Sequence, residues 1–293
     1  MTEGPATGPV LRLPSPLTEL ADDRLADCGV RLWLKRDDLI HPDLPGNKWR
    51  KLTHNLQAAA AGGHRTLLTF GGAYSNHLRA TAAAGRYFGF DTVGVVRGEE
   101  HRPLNESLAY AERQGMRLTY LDRATYRRKT EPDVLAGLAA RFGPCYVLPE
   151  GGSNGLAVRG CAELPAEITE DFDVICCACG TGATLAGIAA GLRPRQRALG
   201  FAVLKGDFLD REVHRLQQEA FGTDTRNWSL DRDFPFGGYA KRTAELDAFI
   251  ADFQARHGVT LDWVYEAKMM YGLLRRITTG TFAPGSTVVA VVC

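Results

Sequence analysis

Six consecutive apolar residues, Val174-Ile175-Cys176-Cys177-Ala178-Cys179, run straight into Gly180-Thr181-Gly182-Ala183-Thr184. A run with no polar position cannot be a half-solvated strand. Both of its faces must be covered, as in a parallel sheet flanked by helices. Similar short apolar runs occur at 32–35, 66–70, 92–96, 117–121, 145–148, 199–203 and 288–292. They alternate with helical patterns near 49–61, 77–88, 106–114, 132–142, 156–168, 183–191, 208–221, 242–257 and 267–278. Gly or Pro punctuates nearly every junction, and no internal repeat or low-complexity tract breaks the order. The alternation predicts an α/β fold of open, mostly parallel sheets. The polar stretch 123–133 reads as a solvated loop.

Composition narrows the function classes. A chain of 293 residues can bury a substantial core, as two lobes or one large domain. Its 35 Lys and Arg against 34 Asp and Glu give a net charge of +1, so there is no electrostatic case for nucleic acid or an acidic membrane surface. No apolar run approaches the ~20 residues of a membrane span. The first ten residues carry neither a basic nor an apolar segment of the kind a signal peptide needs. Cys176, Cys177 and Cys179 lie inside an apolar run rather than in a paired metal-binding frame. The expectation is a soluble cytoplasmic protein with free thiols and no metal site.

In open α/β sheets, ligands bind on the loops that leave the carboxyl ends of strands, and three such loops carry chemistry. Gly71-Gly72-Ala73-Tyr74-Ser75-Asn76-His77 joins a strand to a helix, with Ser75 or Asn76 as cap and free N–H groups suited to a carboxylate. Gly180-Thr181-Gly182-Ala183-Thr184 offers consecutive N–H groups, two hydroxyls and a positive helix end, and so suits an anion. It lacks the G-K-[ST] ending of a P-loop and the third glycine of a dinucleotide fingerprint, so a single phosphate is the better match. Val264-Tyr265-Glu266-Ala267-Lys268 could supply a general acid and a carboxylate partner for a cationic ring nitrogen. Each loop has a plain alternative as ordinary turn and cap chemistry.

A fourth stretch breaks a local rule. Pro45-Gly46-Asn47-Lys48-Trp49-Arg50-Lys51-Leu52 opens a helix for which Asn47 is the natural cap, yet three cations crowd its positive first turn. They could splay into solvent or pair with Asp37 and Asp38. Alternatively, a lysine held there is pressed to lose its proton, as a Schiff-base lysine must. No role for Arg50 or Lys51 can be derived from the sequence.

Taken in order, Leu34-Lys35-Arg36-Asp37-Asp38-Leu39, Gly46-Asn47-Lys48-x-Arg50-Lys51-Leu52, Ser75-Asn76-His77, Gly151-Gly152-Ser153-Asn154, Gly180-Thr181-Gly182-x-Thr184 and Val264-Tyr265-Glu266-x-Lys268 span nearly the whole chain. The set resembles the family of 1-aminocyclopropane-1-carboxylate deaminases and D-cysteine desulfhydrases, pyridoxal phosphate enzymes of the tryptophan-synthase-β type. The resemblance implies a fold of type II, with two open, twisted, mostly parallel-sheet lobes and pyridoxal 5'-phosphate between them. It implies a larger lobe of residues 1–50 plus 159–293 and a smaller one of 51–158, usually in a homodimer. Lys48 would form the Schiff-base link to the cofactor and shuttle protons. Asn76 would bond the cofactor's phenolic oxygen, and Gly180, Thr181, Gly182, Ala183 and Thr184 would hold its phosphate. Glu266 would face the ring nitrogen. Ser75, Asn76 and His77 would take the carboxylate of a small amino-acid substrate, with Tyr265 and Tyr239 beside it.

The implied chemistry is β-elimination on D-cysteine, or ring opening of 1-aminocyclopropane-1-carboxylate. A remodelled relative that only binds cofactor or an amino acid is the reading from another class. Two departures stand out. Ala183 replaces a glycine or hydroxyl-bearing residue common in the phosphate loop, which predicts one hydrogen bond fewer. Relatives also continue past the position of Cys293 into a Gly-rich loop.

Overall fold

A computed structural model describes residues 8–293. The strands are β1 (Leu17–Glu19), β2 (Arg31–Arg36), β3 (Thr66–Gly71), β4 (Asp91–Arg97), β5 (Arg117–Leu121), β6 (Tyr146–Leu148), β7 (Val174–Cys179), β8 (Arg197–Ala202), β9 (Trp228–Asp231) and β10 (Thr287–Val292). The helices are α1 (Asp23–Cys28), α2 (Asn47–Ala61), α3 (Asn76–Phe88), α4 (Glu106–Arg113), α5 (Arg123–Arg127), α6 (Pro132–Phe142), α7 (Gly155–Ala162), α8 (Ala183–Gly191), α9 (Phe208–Phe221), α10 (Ala244–His257) and α11 (Glu266–Thr278).

Two sheets result. The larger has six strands in the order β1-β2-β10-β7-β8-β9, and the smaller has four in the order β5-β4-β3-β6. Every pairing is parallel except the short antiparallel edge of β1 on β2. Central strands behave as their apolar runs require. Val288, Val289, Ala290 and Val292 of β10 are fully buried, and Cys176 of β7 is too. Side chains from the two faces of β7 and β10 divide between two packed clusters, one against α11 and one against α8 and α9.

The expected loop at 123–133 is a correction. Asp122 accepts from the backbone N–H groups of Ala124 and Thr125, and so starts the short helix α5. Tyr126 anchors it in an edge contact with Phe70, and Pro132 then opens α6. The helix expected at 156–168 stops at Ala162, because Pro165 forces a separate 3-10 turn over Leu164–Glu167. The helix expected from 242 starts at Ala244, where Thr243 caps it by accepting from Leu246 N–H. The edge strands β1 and β9 and the six-residue α1 had no apolar run long enough to announce them.

Helix packing places the chemistry. Leu52, Leu56 and Ala59 bury one face of α2 against Leu44, Leu67 and Leu148, each leucine contributing about 1.5–3 kcal/mol relative to exposure. The opposite side meets α7, where a Cβ on Gly160 would lie 2.0 Å from the Arg50 carbonyl oxygen. Glycine there lets α2 seat closely on α7, which in turn packs on α8. The heads of α2 and α8 are thereby fixed beside each other.

Candidate active site

Gly46 occupies the cap position of α2 with φ 58°, and a Cβ there would lie 2.3 Å from the Cβ of Cys293. Only glycine lets the helix begin against the end of β10. Asn47 is therefore not the cap but the first helical residue. Its Nδ2 donates to Thr184 Oγ1 at 3.0 Å, which ties the head of α2 to the head of α8.

The three first-turn cations part company. Lys48 faces a hollow and forms no ion pair among the described residues. Poor hydration and the neighbouring Lys51 ammonium bring its pKa down to about 7. Arg50 turns away into a closed cluster. Its Nε and Nη2 donate to Asp37 at 2.6 and 2.8 Å, and Nη1 and Nη2 donate to Glu167 at 2.9 Å each. Lys35 Nζ donates to Glu167 and to the Ser15 carbonyl, both at 2.7 Å, while Ser15 Oγ donates to Asp37 at 2.6 Å. Asp38 pairs instead with Arg36. Lys51 is buried, donates to the Gly151 carbonyl at 3.3 Å and lines the hollow beside the 180–184 loop with no carboxylate partner among the described residues. A cation so placed suits an anion in that loop.

After β3, Ser75 caps α3 and accepts from Leu78 N–H at 3.3 Å. The N–H groups of Asn76 and His77, in the first turn, have no partner within the helix and lie at its positive end. His77 lines the second of two adjoining hollows. The ring is buried, with Nε2 2.9 Å from Thr69 Oγ1. Because Thr69 Oγ1 donates to the Leu148 carbonyl at 3.0 Å, it accepts from His77. Nδ1 is left with a lone pair and no partner, and burial keeps the ring neutral.

The 180–184 loop turns at Gly182, φ 84°, and leads directly into α8. Ala183 is fully buried in the core beneath. Its side chain packs in that core, where a hydroxyl would meet apolar groups. Thr184 Oγ1 already accepts from Asn47 and keeps its proton to donate. Thr181 shares a hydrogen bond with Ser153 across the floor, and a Cβ on Gly151 would lie 2.8 Å from Thr181 Oγ1.

Tyr265 packs on Gly180, where a Cβ would come within 3.0 Å of its ring. Tyr239 meets it with ring centroids 6.1 Å apart at 65°. Burial raises the pKa of both hydroxyls, so they stay protonated. Glu266 accepts from the N–H of Asp262 at 3.1 Å and from the N–H of Cys293. Burial, with Asp262 nearby, pushes its carboxyl well up, towards the protonated form. Asp262 is a participant the sequence reading missed. Its Oδ1 accepts from Val264 and Tyr265 N–H at 2.9 and 2.8 Å, a side-chain turn that aims Tyr265. The Asp262-x-Val264-Tyr265 spacing was its signal. Burial raises its pKa, opposed by those N–H groups and by the Asn76 amide.

These groups line two adjoining hollows of about 800 and 830 Å³, counting their open mouths, and Lys48, Asn76, Gly151, Gly180, Thr181 and Tyr265 line both. The first holds the 180–184 cradle and Glu266; the second holds Ser75, Tyr239 and, at its rim, Arg97. A poorly hydrated lysine, an anion cradle backed by Lys51 and a buried carboxyl able to share a proton fit a phosphorylated aldehyde carrying a ring nitrogen. That combination on two parallel sheets defines a lysine-dependent aldehyde-cofactor enzyme.

The chain belongs to the family of pyridoxal-phosphate dependent enzymes, whose family model matches residues 11–293. It is 32% identical over 274 residues to the mitochondrial bifunctional D-cysteine desulfhydrase/1-aminocyclopropane-1-carboxylate deaminase of Arabidopsis thaliana, covering 85% of this chain and 68% of that protein. It is also 32% identical over 291 residues to D-cysteine desulfhydrase of Salmonella paratyphi B, covering 92% of this chain and 88% of that one. The crystal structure of a 1-aminocyclopropane-1-carboxylate (ACC) deaminase homologue superposes with a TM-score of 0.84 at 28% identity, over 97% of this chain and 90% of that one. The expected α/β class and the expected cofactor are thus correct. No helix among the described residues is long and apolar enough to cross a membrane.

Proposed function

We propose that this enzyme removes a β-substituent from a small amino acid, D-cysteine foremost, releasing pyruvate, ammonia and sulfide. The carrying observation is Lys48: an unpaired lysine with a pKa of about 7, set between a phosphate cradle and a carboxylate-binding turn. When bound, pyridoxal phosphate supplies an electron sink next to the substrate's amino group.

The remaining work falls to the chain. Backbone N–H groups of the 180–184 loop, with Thr181, Thr184 and Lys51, hold the phosphate. Asn76 would meet the ring oxygen, and Glu266 would share its proton with the ring nitrogen. Ser75 and the N–H groups of Asn76 and His77 bind the substrate carboxylate. Lys48, half neutral near pH 7, takes the α-proton. The Cβ–S bond then breaks with its electron pair on sulfur, and a protonated tyrosine, Tyr239 or Tyr265, donates to the leaving thiolate. Water converts the released enamine to pyruvate and ammonia.

Glu266 supports a second reading, ring opening of 1-aminocyclopropane-1-carboxylate. That substrate has no α-proton, so a nearby carboxyl and two tyrosines become the acid–base set at a ring carbon. We place the lobe boundaries at 1–50 plus 159–293 and at 51–158, in a cytoplasmic homodimer.

The test is pyruvate formation from D-cysteine beside 2-oxobutanoate formation from 1-aminocyclopropane-1-carboxylate, on protein loaded with pyridoxal phosphate. Turnover of the cyclopropane alone would replace the first reading with the second. Turnover of neither, together with no visible band from lysine-bound cofactor, would leave a remodelled binding protein.

A further inference from the structure

Lys268 is a buried lysine with no carboxylate in contact among the described residues, Asp262 acting on it only from a distance. It sits in the first turn of α11, two residues after Glu266 and 1% exposed, and none of the ion pairs among the described residues includes it. The first turn of a helix is already positive, so neither burial nor the helix dipole favours an ammonium there. Its Nζ instead donates to two backbone carbonyls of one distant loop, Pro235 at 2.9 Å and Gly238 at 2.7 Å. The same loop carries Tyr239.

That loop does not hold its own shape cheaply. Phe236, Gly237, Gly238 and Ala240 all have φ between 47° and 110°, two of them without the freedom of glycine. Its internal backbone bonds are few, Gly238 N–H to the Pro235 carbonyl at 2.9 Å and Lys241 N–H to the Gly238 carbonyl at 3.2 Å. Phe236 leans edge-on against Tyr271 of α11, which fixes the loop's distance from the helix but not the turn of Tyr239. Of the two carbonyls that Lys268 grips, one belongs to Gly238, the residue just before Tyr239, and the pair spans Phe236 and Gly237. On the same helical turn, Tyr265 and Glu266 point into the hollow.

We propose that Lys268 is a positioning residue. By holding the carbonyls of Pro235 and Gly238, it sets the Tyr239 hydroxyl against Tyr265 and so governs protonation of the leaving group. This rests on the tyrosine assignment under Proposed function. Lys268 touches neither hollow, so cofactor loading through Lys48 does not depend on it.

The test is a double-mutant cycle on the cofactor-loaded enzyme, using Lys268→Met, Tyr239→Phe and the pair. Lys268→Met keeps the visible band of lysine-bound cofactor and lowers kcat about tenfold or more, with KM changed less than about threefold. Its pH–rate profile loses or shifts the limb that Tyr239→Phe also alters. In the Tyr239→Phe background, adding Lys268→Met costs no further rate. Additive losses, or a loss that follows thermal stability alone, would overturn the proposal. If the methionine variant does not fold, Lys268→Arg, which retains the donors, must show the same coupling with Tyr239→Phe in whatever rate it loses; additivity there overturns the proposal equally. A Tyr239→Phe enzyme with full activity strikes the tyrosine assignment itself, an outcome separate from failed coupling.

Discussion

Lys48 and Arg50 stand two residues apart in one helical turn, and burial is resolved in opposite ways at the two positions. Arg50 is one of two cations facing two carboxylates, with Lys35, Asp37 and Glu167, and both carboxylates are satisfied by several donors. Lys48 has a second cation, Lys51, as its near neighbour, and the carboxyl that acts on it, Asp262, is itself pushed up by burial. Completed pairing makes the first cluster a clamp that joins the N-terminal segment, α2 and the 3-10 turn at Leu164–Glu167. Withheld pairing leaves the second able to exchange protons near neutrality. The clamp holds still the helix from which Lys48 projects.

The largest effect expected is on the reactive side. Lys48→Ala should lower turnover by on the order of 10⁴-fold or more, since it removes both the covalent attachment and the proton carrier. Steady-state rates and loss of the visible cofactor band check this, and apoprotein stability should not fall. Retained turnover would break the contrast at its root.

On the clamp side, Arg50→Met should cost about 3–5 kcal/mol of stability, because Asp37 and Glu167 are left buried without their main partner. Urea denaturation measures it. A change within about 1 kcal/mol would reduce the clamp to an ordinary surface pair.

The two clusters should also respond to pH in separate windows, stability rising with pH in each, through a stabilising charge gained in one and a destabilising charge relieved in the other. Burial alone would raise the Glu167 carboxyl, but hydrogen bonds from Arg50 and Lys35 bring it from 4.5 to about 2. A depressed carboxyl stabilises above its unfolded pKa, so this contribution, about 2–3 kcal/mol, is lost as pH falls from 4.5 towards 2. Lys48 is depressed from 10.5 to about 7. The unfolded chain therefore binds more protons between those values, and the group destabilises the apoprotein below pH 7 and less as pH rises towards 10.5. Chemical denaturation against pH should show Arg50→Met flattening the acid limb and Lys48→Met flattening the neutral-to-alkaline rise. Swapped assignments would show that one cluster has been mistaken for the other.

Much of this was legible in the chain because parallel strands and their glycine turns are local patterns. The run ending at Cys179 and the turn at Gly180 needed no partner to be read. The clamp was not legible, because its partners come from Ser15, Asp37, Arg50 and Glu167, far apart in sequence and joined only by folding. The cap at Gly46 was hidden likewise: Asn47 fits a cap locally, and only the contact with Cys293 shows why glycine precedes it. His77 and Ala183 show the same limit, since motif position says which residues line a turn but not which atoms face the ligand.

Ala183→Ser tests that last point and should have the smallest effect. If the phosphate loop lacked a hydroxyl, serine would supply it and tighten cofactor binding. The buried side chain lies in the core, however, packed with the cluster around Ile188 and Val213. Serine would place a hydroxyl among apolar groups at a cost of about 1 kcal/mol, softened if it donates back to its own helix. Absorbance titration with pyridoxal phosphate should give an unchanged Kd and thermal denaturation a slightly lower Tm. A tenfold tighter Kd, worth about 1.4 kcal/mol, would mean that position 183 faces the phosphate after all. The division between a closed structural layer and an open reactive one would then need redrawing at the head of α8.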